Sequence, residues 1–103
     1  MKLLNAFSLN MIADFPVKIN VVPISIDEAR AALECNLESA VGHEDTSAVF
    51  GEQLGLPVPA NRVTISLEKG DVVIVGQYRG PRLEEGATTL PQGSTIQWLR
   101  VSL

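Results

Sequence analysis

Leu37-Glu38-Ser39-Ala40-Val41-Gly42-His43-Glu44-Asp45-Thr46 decides the architecture of this chain. Its first half reads as a short strand and its second as the start of a helix, with a glycine at the joint that would allow a sharp turn. The helix continues to about Leu54: Val49, Phe50 and Leu54 fall on one face, and Gly55 is a natural stop. Upstream, Ser25-Ile26-Asp27-Glu28 has the serine–glutamate spacing of a capping box. Ile26, Ala29, Leu33 and Leu37 then recur at helical spacing, with Asn36 as the exit. A strand-rich segment from Val17 to Ile24 precedes that helix, bracketed by Pro16 and Pro23. Leu3 to Phe7 is a short apolar run expected to form a buried strand.

Downstream, Val63, Ile65 and Leu67 alternate with Thr64 and Ser66, the pattern of a half-buried strand. Val72 to Val75 is continuously apolar, as in a central strand covered on both faces. Glu68-Lys69-Gly70-Asp71 between them suggests a hairpin, which would bring Arg62 near Gln77 and the segment from Arg79 to Arg82. Ile96 to Val101 reads as a final strand, and Leu83 to Thr95, rich in Gly, Pro, Thr and Glu, as loop. The total is a mixed β-sheet with two helices, an α/β or α+β sandwich, of which α/β is the expected class: a mixed β-sheet flanked by α-helices, one small domain over residues 1–103.

Composition narrows function. Hydrophobic residues make up 46% and charged residues 19%, as in an ordinary globular domain. No apolar run approaches the ~20 residues of a membrane helix, and Met1-Lys2-Leu3-Leu4-Asn5 lacks the pattern of a signal peptide. The single cysteine, Cys35, fits a reducing, cytoplasmic setting. A net charge of −4 argues against duplex DNA, which draws on a broad basic surface. A compact anion remains possible where a few of the eight basic residues converge.

His43 is the only histidine. At a helix start it has free backbone N–H groups and a partial positive charge beside it, a setting suited to phosphate. An imidazole there can donate a proton to a leaving oxygen. An ordinary surface histidine beside a helix cap would look the same, and Glu44 and Asp45 answer the helix charge with carboxylates of their own. Arg62 and Arg82 have guanidinium groups that match phosphate geometry, but most arginines are exposed for no functional reason. Glu85 offers a carboxylate that can orient a histidine. Asn5, Ser8 and Asn10, at the end of an apolar strand, suit either turn formation or hydrogen bonding to a ribose or a base. No metal-ligand spacing, Walker loop or dinucleotide fingerprint is present, and Ser8 lies in no nucleophile elbow.

Taken together, Asn5-Ala6-Phe7-Ser8-Leu9-Asn10-Met11, Gly42-His43-Glu44-Asp45-Thr46, Asn61-Arg62 and Arg82-Leu83-Glu84-Glu85-Gly86 occur in an order and spacing that resembles the viral ring nucleases acting as type III anti-CRISPR proteins. Relatives of that family occur in archaeal viruses, bacteriophages and bacterial mobile or CRISPR loci. The resemblance runs from Lys2 to about Gly86. It implies a homodimer that binds cyclic tetra-adenylate across its two-fold axis and cleaves it without a metal or cofactor, by attack of a ribose 2′-OH on the neighbouring phosphate. It further implies His43 as general acid and Glu85 as its polar partner. Arg62 and Arg82 become phosphate binders, and Asn5, Ser8 and Asn10 ligand-positioning residues.

One departure stands out. Gln77-Tyr78-Arg79-Gly80-Pro81-Arg82 holds an extra residue before the arginine, so either Arg79 or Arg82 takes the family arginine's place, and the following Leu83 and Gly86 favour Arg82. Two other functions fit the same residues: a module that sequesters a cyclic nucleotide without cutting it, and a small interaction protein of a mobile element. If the carrier is a virus or phage, the protein is expected in the host cytoplasm.

Overall fold

The computed structural model describes residues 1–103. Strand β1 spans Lys2–Leu4, β2 Asn20–Ile24, β3 Glu38–Ser39, β4 Val72–Arg79 and β5 Thr95–Ser102. They form one sheet in the order β2-β5-β4-β1-β3. β1 pairs in parallel with β3 and β4, whereas β5 runs antiparallel to both β4 and β2. The α/β reading of a mixed sheet with helices therefore holds. Helices α1 (Ile26–Leu33) and α2 (Glu44–Leu54) pack on one face, and no helix is long and apolar enough to cross a membrane.

Side chains alternate across the pleat, so neighbouring residues of one strand build two cores. Leu3, Ile74 and Trp98 point to the helices and join Ala29, Leu33, Val41, Phe50 and Leu54. Leu4, Val73, Val75 and Val101 point the other way, where Leu67 lies over them with Phe7, Met11 and Ile65 partly buried beside it. Both faces of β4 are thus covered, which is why it reads as an unbroken apolar run.

The hairpin expected from Val63 to Val75 does not form. Only Leu67 pairs, through a single parallel bridge to Ile12, and Leu67 N–H donates to the Met11 carbonyl at 2.6 Å. The reason is occupancy: both edges of β4 are taken, by β1 and β5. Ile65 and Leu67 bury their side chains as an extended cover over the sheet instead. Arg62 is consequently not delivered to Gln77 by strand pairing.

Other elements are shorter than their sequence patterns. β1 stops at Leu4, β2 begins only at Asn20, and β3 is two residues long. α1 ends at Leu33, so Leu37 packs against the core from outside the helix. α2 ends as expected at Gly55, in the left-handed conformation with φ 70°.

α1 opens on a complete capping box. Glu28 N–H donates to Ser25 Oγ at 3.0 Å, and Ser25 N–H donates back to Glu28 Oε1 at 3.1 Å. The bond from the Ser25 backbone holds the Glu28 carboxyl below its ordinary range, helped by the Ser25 side chain and by Arg100. Ser25→Ala should cost about 1 kcal/mol, read as a lower urea midpoint at neutral pH. A carboxylate with a depressed folded-state pKa stabilises above its unfolded pKa and loses that contribution as pH falls through the folded value. Alanine keeps the backbone N–H that is the main cause of the shift, so most of that loss is shared, and the gap between variant and wild type should narrow on acidification only by the smaller part due to the Ser25 side chain.

Candidate active site

Because β1, β3 and β4 are parallel, their C-terminal ends share one edge of the sheet. Asn5, the segment 40–43 and the loop after Arg79 all leave from there, the side on which sites gather in sheets of this type. β5 starts at the same edge, at Thr95.

His43 is the N-cap of α2, with extended backbone (φ −123°, ψ 132°) and no side-chain bond to the helix. Its carbonyl accepts from Ser47 N–H at 2.9 Å, starting the helix, while the imidazole is exposed. A serine or aspartate at this position would fold its side chain back onto the first turn; the imidazole here makes no such bond. Gly42 is not among the glycines with positive φ, so the sharp turn expected of it is absent. The Arg62 side chain lies against it instead, 3.7 Å from where a Cβ would stand.

Asn61 explains how Arg62 gets there. Its backbone N–H donates to the Val41 carbonyl at 2.7 Å, and its side-chain Nδ2 donates to the Ser39 carbonyl at 2.8 Å. These two bonds pin the incoming segment to the end of β3, one residue before Arg62. In sequence Asn61 is only a neighbour of Arg62; its placing role depends on a contact 22 residues away.

The other candidates fall into separate groups at this edge. Glu85 lines a cavity of about 310 Å³ together with Glu44, Asp45 and Ala48 of α2 and Gly86 to Thr88 of the loop. It therefore lies beside the first turn of α2, without a hydrogen bond to His43. Asn5 lines a groove of about 320 Å³ on the face away from the helices, with Phe7, Val21, Val75, Gln77 and Leu99 among its walls. Gln77 is a polar group there that composition and spacing do not single out. Ser8 caps a 3-10 turn over Leu9–Met11, its Oγ accepting from Asn10 N–H at 3.2 Å. The turn-forming role thus holds for Ser8, and no contact ties Ser8 or Asn10 to His43.

The charges divide unevenly. The only ion pairs are Lys2–Glu38 at 3.8 Å and Arg30–Asp27 at 2.9 Å. Arg62, Arg79 and Arg82 are exposed and have no carboxylate partner; Arg79 reaches only Gln97, at 3.5 Å. The cavity beside Glu85 carries three carboxylates and no cation. An anion approaching this edge would be favoured at the free arginines and disfavoured in the cavity beside Glu85. No three His, Cys, Asp or Glu side chains gather as a metal ligand set.

A family model described as STIV B116-like matches residues 1–94. The chain belongs to the STIV B116-like family. Within it, the solved structure of B116 of Sulfolobus turreted icosahedral virus superposes with a TM-score of 0.84 at 28% identity, covering 99% of this chain and 97% of that one. "Uncharacterized protein 26" of Sulfolobus islandicus filamentous virus (isolate Iceland/Hveragerdi) is 33% identical over 85 residues, which span 82% of this chain and 71% of the relative. The STIV B116-like family is thus a family of viral proteins. The match to the family model ends at Ser94, just before β5, whereas the likeness to B116 covers 99% of this chain and so includes that strand.

Proposed function

We propose that this protein is a metal-independent ring nuclease that opens cyclic tetra-adenylate, and so switches off type III CRISPR signalling in the cytoplasm of an infected cell. The observation that carries the reading is an imidazole at a helix start that makes no bond to its helix, next to Gly42, against which the unpaired Arg62 side chain packs. A structural capping residue needs no such neighbour, and a proton donor facing a phosphate does.

In the proposed reaction a ribose 2′-oxygen attacks the adjacent phosphorus. The bond from phosphorus to the 5′-oxygen breaks, leaving a 2′,3′-cyclic phosphate on one side. His43 donates its proton to the departing 5′-oxygen while the 2′-OH proton passes to solvent. The nucleophile belongs to the substrate, so orientation supplies much of the acceleration, on the order of 7–11 kcal/mol for well-aligned intramolecular attack. Arg62 and Arg82 bind phosphate oxygens and stabilise the charge that builds on them. Glu85, beside the first turn of α2, is the carboxylate that orients the imidazole. Asn5, Ser8 and Asn10 position the ligand.

Two copies of the chain act together, each presenting one His43 to one of two opposite linkages, so the products are two linear diadenylates. The largely apolar groove that holds Asn5, with Val21 in its wall 50% exposed, supports self-association. Chromatography of cyclic tetra-adenylate incubated with the protein in EDTA tests the reading. Short linear products are expected, and an intact ring bound at one molecule per dimer would replace the enzyme with a sequestering protein.

A further inference from the structure

The loop 80–94 carries Arg82 and Glu85, and it is closed at its base by one phenol. Tyr78 Oη donates to the Pro81 carbonyl at 2.6 Å and lies 3.0 Å from Ser94 Oγ. One hydroxyl thus ties the first turn of the loop to its last residue, Ser94, which lies 16 residues beyond Tyr78 in sequence. Ser94 is buried, 8% exposed, which is unusual for a serine at a loop end. Gly80 completes the closure. A Cβ there would stand 2.8 Å from Ser94 Cβ and 3.0 Å from Tyr78 Oη, so only glycine lets the two ends of the loop meet. Between these ends the chain has few internal bonds of its own. Ala87 N–H donates to the Glu84 carbonyl and Ser94 N–H to the Pro91 carbonyl. The part carrying Glu85 nevertheless lies against Glu44, Asp45 and Ala48 of α2.

We infer that Tyr78, with Ser94 and Gly80, is a clasp that sets where Arg82 and Glu85 stand relative to His43, making Tyr78 a positioning residue of the site. The inference deepens the ring-nuclease reading and rests on it for the chemistry, though the clasp itself does not. Nothing in the sequence pattern separates Tyr78 from an ordinary strand aromatic. Its role comes from a hydroxyl that leaves the sheet for the loop.

Hydrogen exchange of the wild type, Tyr78→Phe and Ser94→Ala judges the clasp without reference to activity. Each variant removes one hydroxyl and keeps the fold's apolar contacts. The two bonded amides of the loop, Ala87 and Ser94, should exchange roughly five- to tenfold faster in Tyr78→Phe and less so in Ser94→Ala, the scale of one lost hydrogen bond, with β4 and α2 unchanged. The double variant should be no faster than Tyr78→Phe, because that substitution already removes the bond to Ser94 as well as the one to Pro81. Unchanged exchange in Tyr78→Phe, or purely additive effects, would overturn the clasp.

Affinity for cyclic tetra-adenylate then tests the link to the site. Tyr78→Phe should weaken binding several-fold in the wild-type background and add little in an Arg82→Ala background. An equal loss in both backgrounds would show that Tyr78 does not act through Arg82. A wild type that neither binds nor cleaves the ring would remove the enzymatic reading while the exchange data still decide the clasp.

Discussion

His43→Ala should bind cyclic tetra-adenylate and cleave it on the order of 100 to 10,000 times more slowly than the wild type. The range is the usual worth of a positioned proton donor, and several features place this variant toward a clean result. His43 makes no side-chain bond to α2, so the substitution removes no cap. The residue is exposed, so it opens no cavity. The His43 carbonyl that starts the helix is retained, as is the bond it accepts from Ser47 N–H. Melting temperature should therefore stay near that of the wild type, and the loss should appear in single-turnover rates rather than in ring affinity. Arg62→Ala should show the opposite balance, with weakened affinity as well as rate, because a guanidinium at the phosphate acts in ground and transition states alike. A His43→Ala protein as fast as the wild type would take the imidazole out of the mechanism, and with it the argument from the helix start.

Phe50→Ala should cost about 3–5 kcal/mol, the usual range for truncating a buried aromatic. Phe50 is 1% exposed and meets Trp98 with ring centroids 5.2 Å apart and planes tilted by 60°. That contact crosses from α2 to β5 over Gly76 of β4. A Cβ on Gly76 would fall 2.7 Å from Phe50 Cζ and 2.8 Å from Trp98 Cζ3, so the two rings fill the space that the glycine leaves. For a chain of 103 residues, whose total stability is expected at about 5–15 kcal/mol, losing Phe50 removes a large part. Calorimetry should find the melting temperature lower by roughly 15 °C or more. Gly76→Ala attacks the same contact from the other side and should cost about 1–3 kcal/mol by overpacking. If Gly76→Ala proves neutral, the rings are free to shift, and the close approach does not hold α2 in place. The candidate site is linked to this contact, since His43 is the N-cap of α2.

The helices were legible because their signals are local. The capping box at Ser25 and Glu28 and the glycine at position 55 act within a few residues of themselves, and both elements begin or end where those residues stand. The unbroken apolar run in Val72 to Val75 likewise announced a strand covered on both sides. The alternation in Val63 to Leu67 misled because the same pattern serves a strand and an extended segment lying over a sheet. Which of the two forms depends on whether a strand edge is vacant, and β1 and β5 had filled both edges of β4.

By itself the sequence determined the α/β class, the single histidine at a strand-to-helix junction, and the shortage of basic residues that makes each arginine's position matter. Only the tertiary structure decided which arginine packs on the glycine that precedes that histidine. It is Arg62, and it arrives through the two bonds Asn61 makes to Val41 and Ser39 rather than through strand pairing. The physical reason is range. Caps and periodicity are written in residues a few positions apart, whereas the site is assembled from strand ends and loops, and their proximity exists only once the sheet has chosen its neighbours.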